Sequence, residues 1–387
     1  MAGLKTIVEH LQGRVASAIR KTESTPFFSF ETVLLFLSFV YGGVMRLRSR
    51  LYEAGILPSR SLPCRVISIG NITTGGTGKT PMTILVARLI RELGYRVAVI
   101  SRGYRGRLET TGGIVSDGET IFLGPDDAGD EPTLMARVLK GIPVLVGRRR
   151  YETGRLAINR FNPDVIVLDD AFQHMGLKRD LNLALLDGQM PFGNGHLLPR
   201  GLLREPVSAL ERAHAIVYTR CSQSVDMPLR ANPFPRTRPI FHARHAPVIR
   251  TPGDGGHPFF SESEGIDSLR NKTVVAFAGL GNNQQFFDSL NRIGCTLSRT
   301  FSFEDHHRYS FLETTQIAES ARTLQVDAVV TTGKDFVKIA DFNSWPCKLI
   351  VVDVKIELIK AEDRLRKLLA DALIRPGSGK EKITPAG

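Results

Sequence analysis

Short apolar runs alternate with helical patterns along most of the chain beyond residue 60. The runs that predict buried strands are Val66–Ile69, Val97–Ile100, Val144–Val146, Val165–Leu168, Leu183–Leu186 and Ala215–Tyr218, followed by Thr273–Ala278, Ala328–Thr331 and Leu349–Val354. Between several of them the apolar spacing becomes helical, as in Met82–Leu93, which Gly94 closes, and in Ala361–Ile374. Strands that alternate with helices predict an α/β fold, in which helices cover both faces of a parallel sheet.

The N-terminus has a different pattern. Apolar residues recur at helical spacing from Leu4 to Ile19, and a second apolar stretch covers residues 27–45. Glu31 interrupts this stretch, so the uncharged part is only Thr32–Met45, shorter than the roughly 20 residues of a spanning helix. Three arginines follow it between positions 46 and 50. The pattern favours a helix in the membrane interface; an amphipathic core helix and a true span stay open, and a signal peptide is not predicted.

Composition limits the classes of function. A chain of 387 residues with 42% hydrophobic residues can bury a core in two domains, which excludes wholesale disorder. The net charge of +12 indicates nucleic acid, an anionic membrane or an acidic ligand without choosing among them. The four cysteines form no CxxC pair. They predict neither a zinc site nor a disulfide framework, and they fit a reducing cytosol.

The stretch "GNITTGGTGKTP" at residues 70–81 is typical of a phosphate-binding loop between a strand and a helix. The pattern GxxxxGK[ST] fails by one position, because its first glycine falls on Thr73. Lys79 is predicted to reach the β- and γ-phosphates of ATP, and Thr80 to hold Mg²⁺. The simpler alternative is a glycine-rich turn. The predicted ATP- and phosphate-binding residues are Thr73, Thr74, Gly75, Gly76, Thr77, Gly78, Lys79 and Thr80.

A phosphate loop of this kind needs a carboxylate at the end of another buried strand. Asp169 and Asp170 directly follow the run Val165–Leu168, where ligands bind in open α/β sheets. One of them is expected to organise Mg²⁺ and its waters, although an acidic pair at a strand end can also be plain surface. ATP and Mg²⁺ are therefore the predicted cofactors.

These motifs and the composition predict a domain order. Residues 1–60 are predicted to form amphipathic, membrane-associated helices, and residues 61–245 a P-loop nucleotide-binding domain with helices on both faces of its sheet. The proline- and arginine-rich stretch 222–250 is interpreted as a linker. A smaller second α/β domain is predicted for residues 246–376, and a disordered tail for residues 377–387.

Further motifs carry a family resemblance. In chain order they are "SIGNITTGGTGKTP", "SRGYRG", "GDEP", "LDDAFQH", "RDLNLALLD", "LLPRGLLREP", "AFAGLGN", "DHHRYS" and "TTGKD". With them, residues 27 to 358 resemble the tetraacyldisaccharide 4′-kinases, the lipid A 4′-kinases of Gram-negative bacteria. The resemblance implies two α/β/α domains with the site between them, and an N-terminal helix at the cytoplasmic face of the inner membrane.

The resemblance also implies an activity. It is the ATP-dependent phosphorylation of the 4′-hydroxyl of a tetraacyldisaccharide 1-phosphate, which gives lipid IVA in lipid A biosynthesis. The expected partners are this lipid disaccharide and the inner-membrane surface. Neither nucleic acid nor an obligate protein partner is expected.

Site residues follow from the family motifs. The aspartate of GDEP pairs with the histidine of the DH motif to activate the sugar hydroxyl, which assigns catalysis to Asp130 and His306. The alternatives are a helix cap for the aspartate and an exposed loop for the histidine. Thr80, Glu131, Asp169 and Asp170 are the expected metal ligands, and Gln173, Arg204 and Asp305 are expected near the substrate or in support. The chain departs from the family pattern at Ala171, at Arg200 and at Gly333.

Other classes fit less well. A membrane-associated ATPase with a deviant phosphate loop would have a second lysine at Thr74, and a GTPase would need a spacer residue before the aspartate of "GKD" at 333–335. The stretch "GLGNNQ" would need glycine at Gln284 to match a dinucleotide-binding motif. Nucleic-acid binding rests on charge alone, without a module signature.

Overall fold

The computed structural model describes residues 29–221, 238–251, 259–260, 265–342 and 344–374. The helical pattern predicted before residue 20, the first part of the predicted linker up to residue 237, and the predicted tail at 377–387 lie outside the described residues.

Within the described residues the strands form one twelve-stranded sheet. The strands are β1 (Arg65–Asn71), β2 (Val97–Ser101), β3 (Gly113–Ser116), β4 (Val144–Val146), β5 (Val165–Leu168), β6 (Leu181–Asp187), β7 (Ala215–Thr219), β8 (Ile240–Arg250), β9 (Thr273–Ala278), β10 (Thr296–Ser302), β11 (Ala328–Thr332) and β12 (Lys348–Leu358). Their order is β10-β9-β11-β12-β8-β7-β6-β1-β5-β2-β4-β3. Neighbours are parallel except for the pairs β3–β4 and β8–β12. The predicted α/β class is confirmed.

The linker prediction was wrong for residues 240–250. They form β8, which pairs in parallel with β7 and antiparallel with β12. Phe241 and Ala243 are buried on the core side. The alternation of buried and exposed positions that is typical of a strand was therefore present, although the segment is rich in arginine and proline. The predicted boundary at 245/246 falls inside this strand, and the division into two domains stays a prediction. Strands β3 and β10 were also missed, because they are edge strands and β10 is largely exposed.

The helices are α1 (Phe30–Glu53), α2 (Lys79–Glu92), α3 (Pro125–Ala128), α4 (Asp130–Val138), α5 (Arg150–Phe161), α6 (Asn283–Ile293), α7 (Phe311–Thr323), α8 (Gly333–Phe336) and α9 (Glu362–Leu373). Short 3₁₀ helices lie at Arg107–Glu109, Val207–Arg212 and Ile266–Leu269. Helix α2 buries Met82, Val86 and Ile90 in the main core. The loops after β1, β2 and β5 meet at one edge of the sheet, because these strands are parallel neighbours.

Helix α1 has 24 residues and is long and apolar enough to cross a membrane by length and composition, a test that a signal sequence or a core helix also passes. It is longer than the uncharged run suggested, since it continues through the arginines to Glu53. Leu34, Ser38 and Gly42 face the protein, and the Ser38 hydroxyl donates to the Leu197 carbonyl at 2.8 Å. Most of the opposite face is exposed and apolar.

Candidate active site

The phosphate loop joins β1 to α2 and is held by its neighbours. Gly75 and Gly78 have φ values of 111° and 83°, in the left-handed region that glycine adopts without strain. The Asn71 side-chain amide donates to the Thr77 hydroxyl at 3.0 Å. The Thr219 hydroxyl donates to the Thr77 carbonyl at 2.9 Å, and Arg220 to the Gly76 carbonyl at 2.8 Å. These bonds shape the loop before any ligand arrives.

The predicted loop residues divide into two groups. Lys79 points back over the loop, with Nζ 3.5 Å from the Gly75 carbonyl and 3.8 Å from Asp170 Oδ2. Thr73 and Thr74 instead join the loop to the "LLREP" segment: the Thr74 amide donates to the Leu202 carbonyl at 2.7 Å. Their side of the loop therefore anchors that segment beside the site.

The two aspartates after β5 differ in environment. Asp169 is 1% exposed and accepts hydrogen bonds from the hydroxyls of Thr83 and Ser101, both at 3.0 Å. Burial, together with the charges of Glu131 and Asp170, raises the pKa of Asp169 to about 6. Asp170 lines the same cavity, but its side chain is more exposed and lies between Lys79 and the Arg204 guanidinium.

Asp130 and His306 lie together although 176 positions separate them. Asp130 is the first residue of α4, and His306 lies in the loop after β10 at a positive φ of 65°. His306 Nδ1 is 2.9 Å from Asp130 Oδ2, and its Nε2 is 3.9 Å from Asp305 Oδ2. The structure thus brings the three residues into one acid–base cluster.

The next residue, Glu131, also pairs with a residue from the later part of the chain. Its carboxylate forms an ion pair with Lys334 on α8. Burial acts to raise the pKa of Glu131, but Lys334, with smaller contributions from Lys79 and His306, outweighs it and lowers the pKa. Glu131 is therefore held ionised at the cavity wall.

Gln173 and Arg204 tie the loops of the site together. The Gln173 amide donates to the Asn71 carbonyl at 2.6 Å and to Glu205 at 3.1 Å. Arg204 Nη1 donates to Asp170 Oδ2 at 3.2 Å, and the Arg204 carbonyl accepts from the Tyr41 hydroxyl of α1 at 2.8 Å. Helix α1 consequently reaches the wall of the site.

Two departures from the family pattern have structural explanations. Arg200 is only 2% exposed, and its backbone amide donates to Ser38 at 3.0 Å, so it lies under α1 and not on an open substrate path. Gly333 begins α8. A Cβ there would lie 2.9 Å from Leu134 Cδ1 and 3.2 Å from the Asp353 carboxyl carbon, a space that glutamate or proline would overfill.

Several site residues were missed by sequence reasoning. Ser101, Arg102 and Tyr104 of "SRGYRG" line the cavity, as does the run that includes Arg148 and Arg150. Arg150 is almost fully buried and donates to the Asp169 carbonyl at 3.2 Å. Burial lowers its pKa to about 10, so it stays charged at neutral pH. The available signal was position. Ser101 is the last residue of β2, and the other residues lie just after β2 and β4, whose ends lie at the same edge of the sheet.

The side chains meet in one cavity of about 670 Å³. The predicted residues that line it are Lys79, Asp130, Glu131, Asp169, Asp170, Gln173, Arg204 and His306. Among the described residues there is no group of three or more His, Cys, Asp or Glu that could hold a metal. Mg²⁺ commonly takes one or two carboxylates together with phosphate oxygens and water, so Asp170 and Glu131 at this wall fit it as donors.

Comparison with known proteins decides the family. Residues 30–374 match the family model described as tetraacyldisaccharide-1-P 4′-kinase. The chain belongs to this family. It is 40% identical over 357 residues to the tetraacyldisaccharide 4′-kinase of Desulfatibacillum aliphaticivorans, covering 91% of this chain and 95% of that one. It is 46% identical over 309 residues to that of Geobacter metallireducens, covering 79% and 88%.

A solved structure agrees with the family. The "apo" form LpxK from Aquifex aeolicus in complex with ATP matches with a TM-score of 0.74 and 32% identity, over 89% of this chain and 100% of that chain. The family resemblance, the fold and the kinase activity expected from the sequence are thereby confirmed. The protein is an ATP-dependent tetraacyldisaccharide 4′-kinase of lipid A synthesis.

Proposed function

We propose that this cleft carries out the kinase reaction with Asp130 as the group that takes the proton from the acceptor 4′-hydroxyl. The observation that supports this role is the 2.9 Å contact between Asp130 and His306 in the same cavity as Lys79. As the hydroxyl oxygen bonds to the γ-phosphorus, the bond to the bridging oxygen of ADP breaks and the proton passes to the carboxylate. His306 orients Asp130 through Nδ1.

The nucleotide end of the cleft is assigned to the phosphate loop and the acidic pair. Lys79 neutralises charge on the β- and γ-phosphates. Asp170, Glu131 and the Thr80 hydroxyl would hold Mg²⁺, which, when bound, neutralises charge on the phosphates. Asp169 supports this arrangement from behind, because both of its oxygens are already hydrogen-bonded. Burial is the largest cause of the raised pKa of Asp169, and the charges of Glu131 and Asp170 add to it; a bound cation would offset those charges.

The lipid acceptor is proposed to enter along α1, with the enzyme held peripherally or monotopically at the cytoplasmic face of the inner membrane. Val33, Phe36, Phe39 and Val44 are all more than half exposed on this helix. On its protein side the Tyr41 hydroxyl contacts the Arg204 backbone. One helix thus has an apolar face suited to acyl chains directly beside the cavity.

Vesicle binding tests the role of α1. The double variant Phe36→Ser/Phe39→Ser keeps the contacts of Ser38 and Tyr41 but removes two aromatic side chains from the exposed face. It should no longer sediment with vesicles of phosphatidylethanolamine and phosphatidylglycerol, and KM should rise for the lipid but not for ATP. Phe311→Ser, at another exposed aromatic residue, is the matched control. Wild-type sedimentation and lipid kinetics in the double variant would contradict the proposal.

Steady-state kinetics test the acid–base pair. Asp130→Ala and His306→Ala should each lower kcat by roughly 10²-fold or more, the usual scale for a positioned acid–base group, with ATP affinity little changed. The double variant should be little worse than the poorer single one, since residues that act as a unit are not additive. His307→Ala is the control, because His307 pairs with Glu313 at 3.0 Å instead. Losses confined to ATP affinity would assign the pair to the nucleotide site.

A further inference from the structure

Lys338 lies behind the acid–base pair, and neither the phosphate loop nor the family motifs quoted above include it. It comes two residues after α8, and its side chain is only 5% exposed. Its Nζ is 3.7 Å from Asp130 Oδ2 and 2.9 Å from Asp335 Oδ1. The ammonium makes these ion pairs but no hydrogen bond within the described residues. A buried cation with unused N–H donors therefore lies next to the proposed base.

Asp335 anchors this lysine and is itself held independently of it. The carboxylate is fully buried. Its Oδ2 accepts from the Gly279 amide at 3.0 Å and from the Thr332 hydroxyl at 2.7 Å, and its Oδ1 accepts from the Tyr309 hydroxyl at 2.9 Å. Three donors fix Asp335 without help from Lys338, so its charge fixes the position of the ammonium.

The two oxygens of Asp130 have different surroundings. Oδ2 is contacted by His306 Nδ1 and faces Lys338 Nζ. Oδ1 has no hydrogen-bond or ion-pair partner among the described residues. A carboxylate held at one oxygen cannot rotate freely, and the other oxygen remains available in the cavity that Asp130 lines.

We propose that Lys338 is a positioning residue for the kinase reaction: with His306 it holds Oδ2 of Asp130, so that Oδ1 receives the proton of the 4′-hydroxyl. This inference rests on the proposed role of Asp130. Lys338 acts through the carboxylate, since it does not line the cavity that contains Lys79. Active-site contacts that are long without ligand commonly tighten in the reacting complex, as the 3.7 Å separation would on substrate binding.

The contact also joins two distant parts of the chain. Asp130 begins α4, which precedes β4, whereas Lys338 and Asp335 follow β11. The sheet order places β4 and β11 far apart. A lysine that served packing alone would change stability when replaced. A lysine that orients the base must also change kcat, and this difference separates the two roles.

Kinetics of the full-length protein test the proposal. Lys338→Gln keeps a polar side chain, one atom shorter than that of lysine, but removes the charge. It should lower kcat by roughly 10-fold or more, approaching the 10²-fold that a 1 Å misplacement costs, while KM for ATP is unchanged. Lys338→Arg should recover part of the loss. Arg366→Gln is the control, because it removes an exposed cross-chain ion pair to Glu92 at 2.6 Å without contacting Asp130, and its kcat should equal that of the wild type.

A double variant separates this inference from the proposed function. If Lys338 acts through Asp130, adding Lys338→Gln to Asp130→Asn should lower kcat no further; a multiplied loss overturns the inference. If Asp130→Asn keeps the wild-type kcat, the role of Asp130 itself is refuted. If Asp130→Asn is inactive but Lys338→Gln is fully active, only the role of Lys338 is refuted. If Lys338→Gln does not fold, Lys338→Met, which needs no buried partner, must show the same loss.

Discussion

Replacing Gly70 with alanine would test how closely the phosphate loop and the acidic loop depend on each other. Gly70 lies in β1, next to Asn71, where the strand leads into the phosphate loop. An added Cβ would lie 2.7 Å from both the backbone nitrogen and the Cβ of Phe172, in the turn after Asp169 and Asp170. The Phe172 backbone cannot rotate away, since the preceding amide, that of Ala171, donates to the Ile69 carbonyl at 3.0 Å.

The size of the effect follows from the distances. Ordinary contacts of a Cβ begin at 3.4 Å, so the two loops must separate by about 0.7 Å from the 2.7 Å contact. Overpacking of a dense core costs about 1–3 kcal/mol. Because a 1 Å misplacement near the chemistry can cost roughly 10²-fold in rate, we expect Gly70→Ala to lower kcat by at least 10-fold and to lower the melting temperature.

The assay is transfer of labelled γ-phosphate from ATP to the tetraacyldisaccharide 1-phosphate, with melting followed in parallel. Gly43→Ala is the matched control, because a Cβ at Gly43 on α1 would meet no atom within 4 Å. An exposed helical position of this kind gains up to about 1 kcal/mol from alanine, so the control should keep its kcat and melt no earlier than the wild type. Wild-type rate and stability in Gly70→Ala would refute the argument that this contact couples the two loops.

Two further variants probe the nucleotide end of the cleft. Lys79→Ala should abolish transfer and weaken ATP binding, because Lys79 is the loop's own cation; unchanged turnover would contradict the assignment of the phosphate loop. Asp169→Asn should raise the melting temperature of the protein without nucleotide or metal at pH 8. The pKa of Asp169 is raised to about 6, whereas aspartate in the unfolded chain titrates near pH 4. Stability is therefore lost as the pH rises from about 4 to about 6, and the full loss persists above about pH 6. The gain in melting temperature should disappear below about pH 4, where the carboxyl is protonated in both states. Calorimetry between about pH 4 and pH 8 measures this, and a melting temperature at pH 8 that is no higher than that of the wild type would contradict the prediction.

Much of the fold and part of the site were predictable from local sequence. Buried strands such as Val165–Leu168 appear as short apolar runs, and their bounds agree with the structure. The phosphate loop was recognisable for the same reason: its glycines, its lysine and its flanking strand are neighbours in the chain. Asp130 and His306 were identified only through the family motifs, because nothing in the local pattern of either residue indicates the other.

What the sequence did not show depends on contacts between distant positions. Strand β8 was hidden because pairing with β7 and β12, and not its own composition, stabilises it. Gly333 is explained by the close approach of Leu134 and Asp353. The proposed role of Lys338 depends on a carboxylate more than 200 positions earlier in the chain. The sequence by itself determined the elements and the chemistry of the loops, since propensity, periodicity and motifs act over a few residues. Only the tertiary structure decided which loops meet, because that depends on the order of the strands in the sheet and on the packing between them.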